Sequence, residues 1–180
     1  SACKVFATEV EAEIVDDCLQ VYGGYGFTEE FPVARIYRDA RISRIYEGTN
    51  EINRLFLADR LVRRANEGKC SLQASGDSFI NDLTGRAYAK FSKDQVVLGA
   101  LSDLTILAYA EQSARLRAAR TGGLGQAAYE RFCNWANPRA AAAYQKVVGE
   151  AVSLPAPFAA HTDALAEALL AKDRPLEFLS

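Results

Sequence analysis

Residues 20–54 read QVYGGYGFTEEFPVARIYRDARISRIYEGTNEINR, and the order of signals in this stretch decides the fold. Gly23, Gly24 and Gly26 follow a helical run, Pro32 opens a second, and Tyr46-Glu47-Gly48 marks the corner before a third. Glycine tolerates φ > 0 and close backbone approach. The cluster therefore ends a helix and turns N–H groups outward, where they can meet a phosphate or ribose, with the Gln20 amide one turn earlier. The same cluster also suits an ordinary helix C-cap. Glu47 stands where the pattern of Ile36, Ala40 and Arg44 stops, and Thr49 is placed to cap the next helix through its hydroxyl. A carboxylate at such a corner either projects into a shared cavity or is a solvated loop acid.

Working outward, the rest of the chain reads as helix. Phe6, Val10, Ile14 and Cys18 recur at i+4 and predict a helix over much of 1–22. Pro32 suits the first turn of a helix running through Arg38 and Asp39, a pair whose reading as a partly buried ion pair that fixes the corner is favoured over a ligand contact. A third helix begins near Thr49, with Leu55, Ala58, Val62 and Ala65 on one stripe. Residues 66–77, NEGKCSLQASGD, lose the apolar period and read as a linker. Beyond it the pattern predicts helices near 79–92, 94–120, 126–135 and 138–152, then a short amphipathic one around 162–171. The helix over 94–120 is apolar nearly all round its middle, so neighbours must cover it. Gly122-Gly123-Leu124-Gly125 has no strand before it and no lysine after it, which favours a helix-helix turn over a phosphate loop. Trp135 and the alanines 140–143 are expected to pack helices closely. Arg115, Arg117 and Arg120 suit either a phosphate or anionic membrane, or a solvated helix end near the favourable dipole. The expected fold is all-α: a helical bundle over 1–68 followed by a second helical domain over 69–180.

Composition narrows the function classes. The 180 residues are 49% hydrophobic with a formal charge of −2, which gives no electrostatic case for nucleic acid. Cys3, Cys18, Cys70 and Cys133 show no C-x-x-C spacing and His161 is the single histidine, arguing against zinc and disulfides; no metal site is expected. Cys3 and Cys18 read as small hydrophobes within a helix, suggesting a reducing compartment. The most apolar run, 96–110, is interrupted by Asp103 and is shorter than the ~20 residues a bilayer core needs. Neither a membrane span nor a signal peptide is expected.

The ordered set Gln20-x-x-Gly23-Gly24-x-Gly26-Phe27, then Arg38-Asp39-x-Arg41-Ile42, then Ile45-Tyr46-Glu47-Gly48-Thr49-Asn50-Glu51-Ile52-x-Arg54, resembles the C-terminal signature of the acyl-CoA dehydrogenase family. The resemblance covers about the first seventy residues. The helical tail is similar in layout to the extra C-terminal domain of very-long-chain acyl-CoA dehydrogenases. The resemblance implies a flavoenzyme that oxidises the Cα–Cβ bond of a fatty acyl-CoA, with FAD as cofactor and Glu47 as the catalytic base. A base is needed because an α C–H beside a thioester is a very weak acid, made stronger when hydrogen bonds hold the carbonyl oxygen. In the family those bonds come from the flavin ribityl hydroxyl and from the backbone N–H of the base. A dry acyl chain closed over the carboxylate disfavours its charged form and strengthens it as a base.

By the same resemblance, Gln20, Gly23 and Gly24 meet the FAD of a neighbouring subunit, which implies a homo-oligomer. Thr49 and Glu51 contact the cofactor of their own subunit, and Tyr46 and Gly48 line the substrate. A glutamine is common in the family where this chain has Glu51, and an anion near a pyrophosphate is unfavourable unless a cation or a ribose hydroxyl receives it. An electron-transfer flavoprotein is the implied electron acceptor. The N-terminal helical and central β domains of the family are not found here, so the chain is expected to be a C-terminal piece of a larger enzyme, bacterial cytoplasmic or mitochondrial matrix. The alternative expectation is a non-enzymatic helical module for assembly, with peripheral membrane or partner docking through its tail.

Overall fold

The computed structural model describes residues 1–66 and 94–148. The expected linker, the helices at 79–92 and 162–171, and the domain boundary at 68/69 lie outside the described residues. Among the described residues the secondary structure is all helical: α1 Ala2–Tyr22, α2 Gly24–Phe27, α3 Pro32–Ser43, α4 Asn50–Asn66, α5 Gln95–Thr121 and α6 Gly123–Val148. The chain divides into two compact units, Ser1–Leu57 and Ala58–Ser180, with the division inside α4.

In the first unit α1 packs against α3. The buried stripe of α1 is Val5 and Val15, with Ala12 and Leu19 half-buried on the same side. It is not the expected Phe6, Val10, Ile14 and Cys18. At about 100° per residue, Cys3 lies about 160° round the helix from Val5, and both Cys3 and Cys18 are exposed. Both cysteines lie in α1 as expected but on its exposed side rather than in a core, and Ile14 of the i+4 series is exposed as well. On α3 the buried face is Val33, Ala34, Ala40 and Ser43, small side chains that let the two helices approach.

Pro32 occupies the first turn of α3, where its missing N–H costs nothing and its φ is already helical. The turn before it is fastened by rings: Phe31 lies 6.0 Å from Tyr22 and 5.6 Å from Tyr25, centroid to centroid. Such tilted or edge-on aromatic pairs each contribute about 0.5–1.5 kcal/mol beyond burial. They tie the end of α1 to the start of α3.

In the second unit α5 and α6 pack on each other. Asp94 caps α5 by accepting from the Val96 and Val97 N–H groups. Gly122 (φ 72°) is the one residue between the two helices, and its N–H returns to the Ala118 carbonyl. The glycine run is a helix-helix turn, as its context predicts. Val97, Ala100, Leu101, Leu104 and Leu107 meet Ala136, Ala140, Ala143, Tyr144 and Val147 in one core, with Phe132 and Trp135 packed against it. Every residue from Leu104 to Ala108 is buried, in keeping with the all-round apolar pattern.

The helices expected at 126–135 and 138–152 are a single helix through residue 148, with Pro138 inside it. An internal proline removes a backbone hydrogen bond and crowds the preceding turn, at a cost of about 3 kcal/mol. Arg139 lies back along the same turn. Its Nη1 donates to the Trp135 carbonyl at 3.0 Å, and its guanidinium carbon stands 4.2 Å from the Trp135 ring centroid. Ala136, Ala140, Ala143 and Val147 continue the buried face across the proline, so packing keeps the helix going.

One polar cluster interrupts this unit. Glu111 is 2% exposed; it accepts a hydrogen bond from the Tyr129 hydroxyl, and Arg115 lies 3.7 Å away. Burial, then the Glu111 carboxylate, push the Tyr129 phenol well above its usual range. No helix among the described residues is long and apolar enough to cross a membrane.

Candidate active site

The corner between α3 and α4 is built on backbone that only a well-anchored chain adopts. Glu47 has φ 56° and is the one non-glycine residue with positive φ among the described residues; Gly48 follows at 82°. A bulky side chain in the left-handed region costs about 1–3 kcal/mol and persists only where its surroundings over-determine it.

The anchors here are explicit. Asn50 is 2% exposed and its N–H donates to the Arg44 carbonyl at 3.1 Å, closing the loop that carries residues 45–49. The Asn50 amide nitrogen donates to Thr8 Oγ1 at 3.0 Å and Glu9 Oε1 at 3.2 Å. Asn53 Nδ2 donates to the carbonyls of Gly48 at 2.7 Å, Thr49 at 3.2 Å and Glu47 at 3.4 Å. From α1, Lys4 Nζ donates to the Gly48 carbonyl at 3.0 Å and to Asn50 Oδ1 at 2.7 Å. Arg54 holds Glu9 through two parallel bonds of 2.7 Å each, a bidentate geometry that fixes direction as well as distance.

Thr49 caps α4 by accepting from the Ile52 N–H at 3.3 Å, as its place in the sequence predicts. Glu51, in the first turn of α4, receives its own backbone N–H and the Thr49 hydroxyl. These bonds, with the nearby charges of Arg54 and Lys4, hold its carboxyl below the ordinary glutamate range. The negative charge that replaces the expected glutamine is thus already matched by hydrogen-bond donors and two cations. Glu47, Gly48 and Glu51 are exposed, Tyr46 is 54% exposed and Thr49 is half-buried, so the corner opens outward.

The structure brings Tyr46, Glu47, Gly48, Thr49 and Glu51 together, but not Gln20, Gly23 and Gly24. Lys4 touches the corner, and Gln20 lies sixteen residues farther along the same helix, about 24 Å at 1.5 Å per residue. The predicted positions form two clusters at opposite ends of α1. In the second cluster Gly23 is required by its φ of 59°, and Gly26 by crowding, since a Cβ there would stand 2.7 Å from Tyr22 Cβ. Gly24 meets neither demand; nothing lies within 4 Å of where its Cβ would be.

One expectation changes. Arg38 does not pair with Asp39: its Nη1 bonds Glu29 Oε1 at 3.0 Å, with both side chains largely exposed. Adjacent residues on a helix do not face each other, so the pair cannot fix the corner. That work falls to Lys4, Thr8, Glu9, Asn50, Asn53 and Arg54, most of which the sequence reading passed over. The asparagines at 50 and 53, one turn apart beside a Gly-Thr cap, were the available signal. Separately, a recess of about 360 Å³ opens between α1 and α3, lined by Glu9, Glu13, Asp16, Tyr37, Arg41 and Arg44 among others. None of the predicted site residues lines it.

Residues 1–62 match the family model described as "Acyl-CoA dehydrogenase, C-terminal domain". A "Probable acyl-CoA dehydrogenase" of Bacillus subtilis (strain 168) is 46% identical over 80 residues, 44% of this chain and 14% of that protein. The "Cyclohexane-1-carbonyl-CoA dehydrogenase" of Geobacter metallireducens is 42% identical over 62 residues, 34% of this chain and 16% of that protein. Among solved structures, the acyl-CoA dehydrogenase of Bacillus anthracis, complexed with FAD, superposes with a TM-score of 0.72 and 28% identity over 94% of this chain and 38% of that one. The chain therefore spans well under half the length of each of these relatives. Residues 1–62, with the Glu47 corner inside them, are thus similar to the C-terminal domain of the acyl-CoA dehydrogenase family, and the described residues share its helical fold.

Proposed function

We propose that this chain is the base-bearing C-terminal portion of an FAD-dependent acyl-CoA dehydrogenase that converts a fatty acyl-CoA to the trans-2-enoyl-CoA. Glu47 takes the α-proton onto its carboxylate. FAD, when bound, supplies the acceptor for the β-hydrogen, which leaves with its electron pair as hydride. The backbone N–H of Glu47 steadies the thioester oxygen, and Tyr46 and Gly48 line the acyl path. An electron-transfer flavoprotein then takes the electrons onward.

The observation that carries this reading is the strained Glu47-Gly48 corner. Such backbone is retained where a side chain must be aimed, and a solvated loop acid needs none of the six side chains that hold this one. The residues present also fit the cofactor. Thr49 and Glu51 would hold it at the corner, where Arg54 and Lys4 offset the Glu51 charge. Gln20, Gly23 and Gly24 would meet a second copy's cofactor at the far end of α1, where open space at Gly24 admits a ligand against bare backbone. This division supports a homo-oligomer.

Glu47→Gln in the complete flavoprotein is the test. Removing a general base costs about 10²–10⁴-fold or more, so turnover of a fatty acyl-CoA should fall by at least that, with flavin retained. Turnover near the unsubstituted rate would remove Glu47 as the base.

A further inference from the structure

Lys4 stands one helix away from the candidate base, yet it reaches into the corner that carries it. Its ammonium donates to the Gly48 carbonyl at 3.0 Å and to Asn50 Oδ1 at 2.7 Å. Asn53 Nδ2 donates to that same Gly48 carbonyl at 2.7 Å and lies 3.4 Å from the Glu47 carbonyl. The peptide groups on the C-terminal side of the left-handed pair are thus gripped from two directions, by α1 and by α4. Asn53 belongs to the helix that follows the corner and would move with it. Lys4 does not, so it ties the corner to an outside frame.

We infer that Lys4 is a positioning residue for the α-proton abstraction: through the Gly48 carbonyl and Asn50 it fixes the direction of the Glu47 side chain and of the Glu47 N–H. The inference rests on the reading of Glu47 as base. Two features of lysine suit the role. An ammonium has three donors and no acceptor, so it can serve a carbonyl and an amide oxygen together, and a charge-assisted bond is stronger than a neutral one. Its four-carbon stem spans from α1 to the corner while the residue stays half-buried. Asn50 relays the hold, because the same side chain also bonds Thr8 and Glu9 on α1.

A misaimed base loses rate rather than affinity, since a displacement of about 1 Å costs about 10²-fold while ground-state binding is unchanged. In the complete flavoprotein, Lys4→Met should lower kcat by about 10²-fold with KM within about twofold and flavin content unchanged. The isotope effect with α-deuterated acyl-CoA should rise, because proton abstraction becomes the slow step. Lys4→Arg, which keeps a charged donor, should recover most of the rate. In the 180-residue chain itself, Lys4→Met should speed hydrogen exchange at the Asn50 amide, whose bond to Arg44 closes the loop.

Glu47→Gln, measured beside these variants, separates the two claims. If Glu47→Gln is inactive and Lys4→Met turns over at an unsubstituted rate, the Lys4 inference is wrong and the base assignment survives. If Glu47→Gln is active, the base assignment fails first, and the inference falls with it. Should Lys4→Met lose flavin, Lys4→Gln, with a neutral donor, takes its place under the same criteria. Asn50 exchange unchanged in both Lys4 variants would overturn the anchoring that the inference requires.

Discussion

Within residues 1–57 the buried apolar side chains are few and mostly small, Val5, Val15, Val33, Ala34 and Ala40, whereas the hairpin of α5 and α6 closes ten buried residues into one cluster. Exposure runs the other way. Tyr22, Tyr25, Phe27, Ile36, Ile45 and Phe56 are among the large exposed side chains of the first region, against Val96, Leu116 and Leu124 in the hairpin. The two regions solve different problems. Apolar packing holds helices together without specifying a direction, and it dominates the hairpin, with the Glu111–Tyr129 contact beside it. The corner holds Glu47 and Gly48 in left-handed backbone, and hydrogen bonds with fixed lengths and angles do that. Its order is therefore carried by Asn50, Asn53, Lys4 and the Arg54–Glu9 pair.

The largest stability effect should fall in the hairpin. Leu104, 2% exposed at the centre of the cluster, should cost about 2–5 kcal/mol when cut to alanine, read from denaturant unfolding of the 180-residue chain. A loss under about 1 kcal/mol would mean that the site collapses around the smaller side chain and that the contrast in packing is weaker than drawn.

A smaller effect is expected at the glycine turn, where two neighbouring positions should part company. Gly26→Ala forces a Cβ to within 2.7 Å of Tyr22 Cβ and 3.0 Å of the Leu19 carbonyl, and such overpacking costs about 1–3 kcal/mol. Gly24→Ala meets nothing within 4 Å and should leave the melting temperature of the chain unchanged, while weakening FAD retention in the complete flavoprotein. Equal destabilisation by both would erase the distinction between a glycine kept for packing and one kept for a ligand.

The smallest effect belongs to Glu51. Its carboxyl is held below the ordinary glutamate range, first by its own N–H and then by the Thr49 hydroxyl. A group whose folded-state value is depressed stabilises above its unfolded value and loses that contribution as pH falls through the folded one. The loss should thus come only in acid, below the ordinary carboxylate value of about 4.3. Because Glu51 is largely exposed, solvent screening keeps the effect small. A carboxyl-carbon titration by NMR should place Glu51 below the ordinary glutamate value of about 4.3; a value at or above it would remove the donors assigned to it.

How much of this was legible in the sequence follows from what each signal encodes. Helix ends were readable, because Pro32, Thr49 and Gly122 act through local backbone rules, and α1, α3, α4, α5 and the turn at Gly122 lie where those rules put them. The face that each helix buries was less so. On α1 the i+4 series through Phe6 and Ile14 was a good helical period, but which stripe is covered depends on the partner, and α3 lies against Val5 and Val15. Pro138 misled for a similar reason: a local breaker was overridden by a buried face that continues through Ala140 and Val147. In the site, the motif named the residues of the corner but not what holds them. Arg38 and Asp39 drew attention as neighbours in sequence, while the working contacts, Lys4 with Gly48 and Arg54 with Glu9, join residues more than forty positions apart.

The central claim is that Glu47 is an aimed base rather than a solvated acid. Its most direct test is anaerobic mixing of the complete flavoprotein, as Glu47→Gln, with a fatty acyl-CoA while the flavin absorbance is followed. We predict that flavin stays bound and oxidised, with no bleaching on the timescale at which the unsubstituted protein is reduced. Bleaching at the unsubstituted rate would contradict the account, because the α-proton would then be leaving without Glu47.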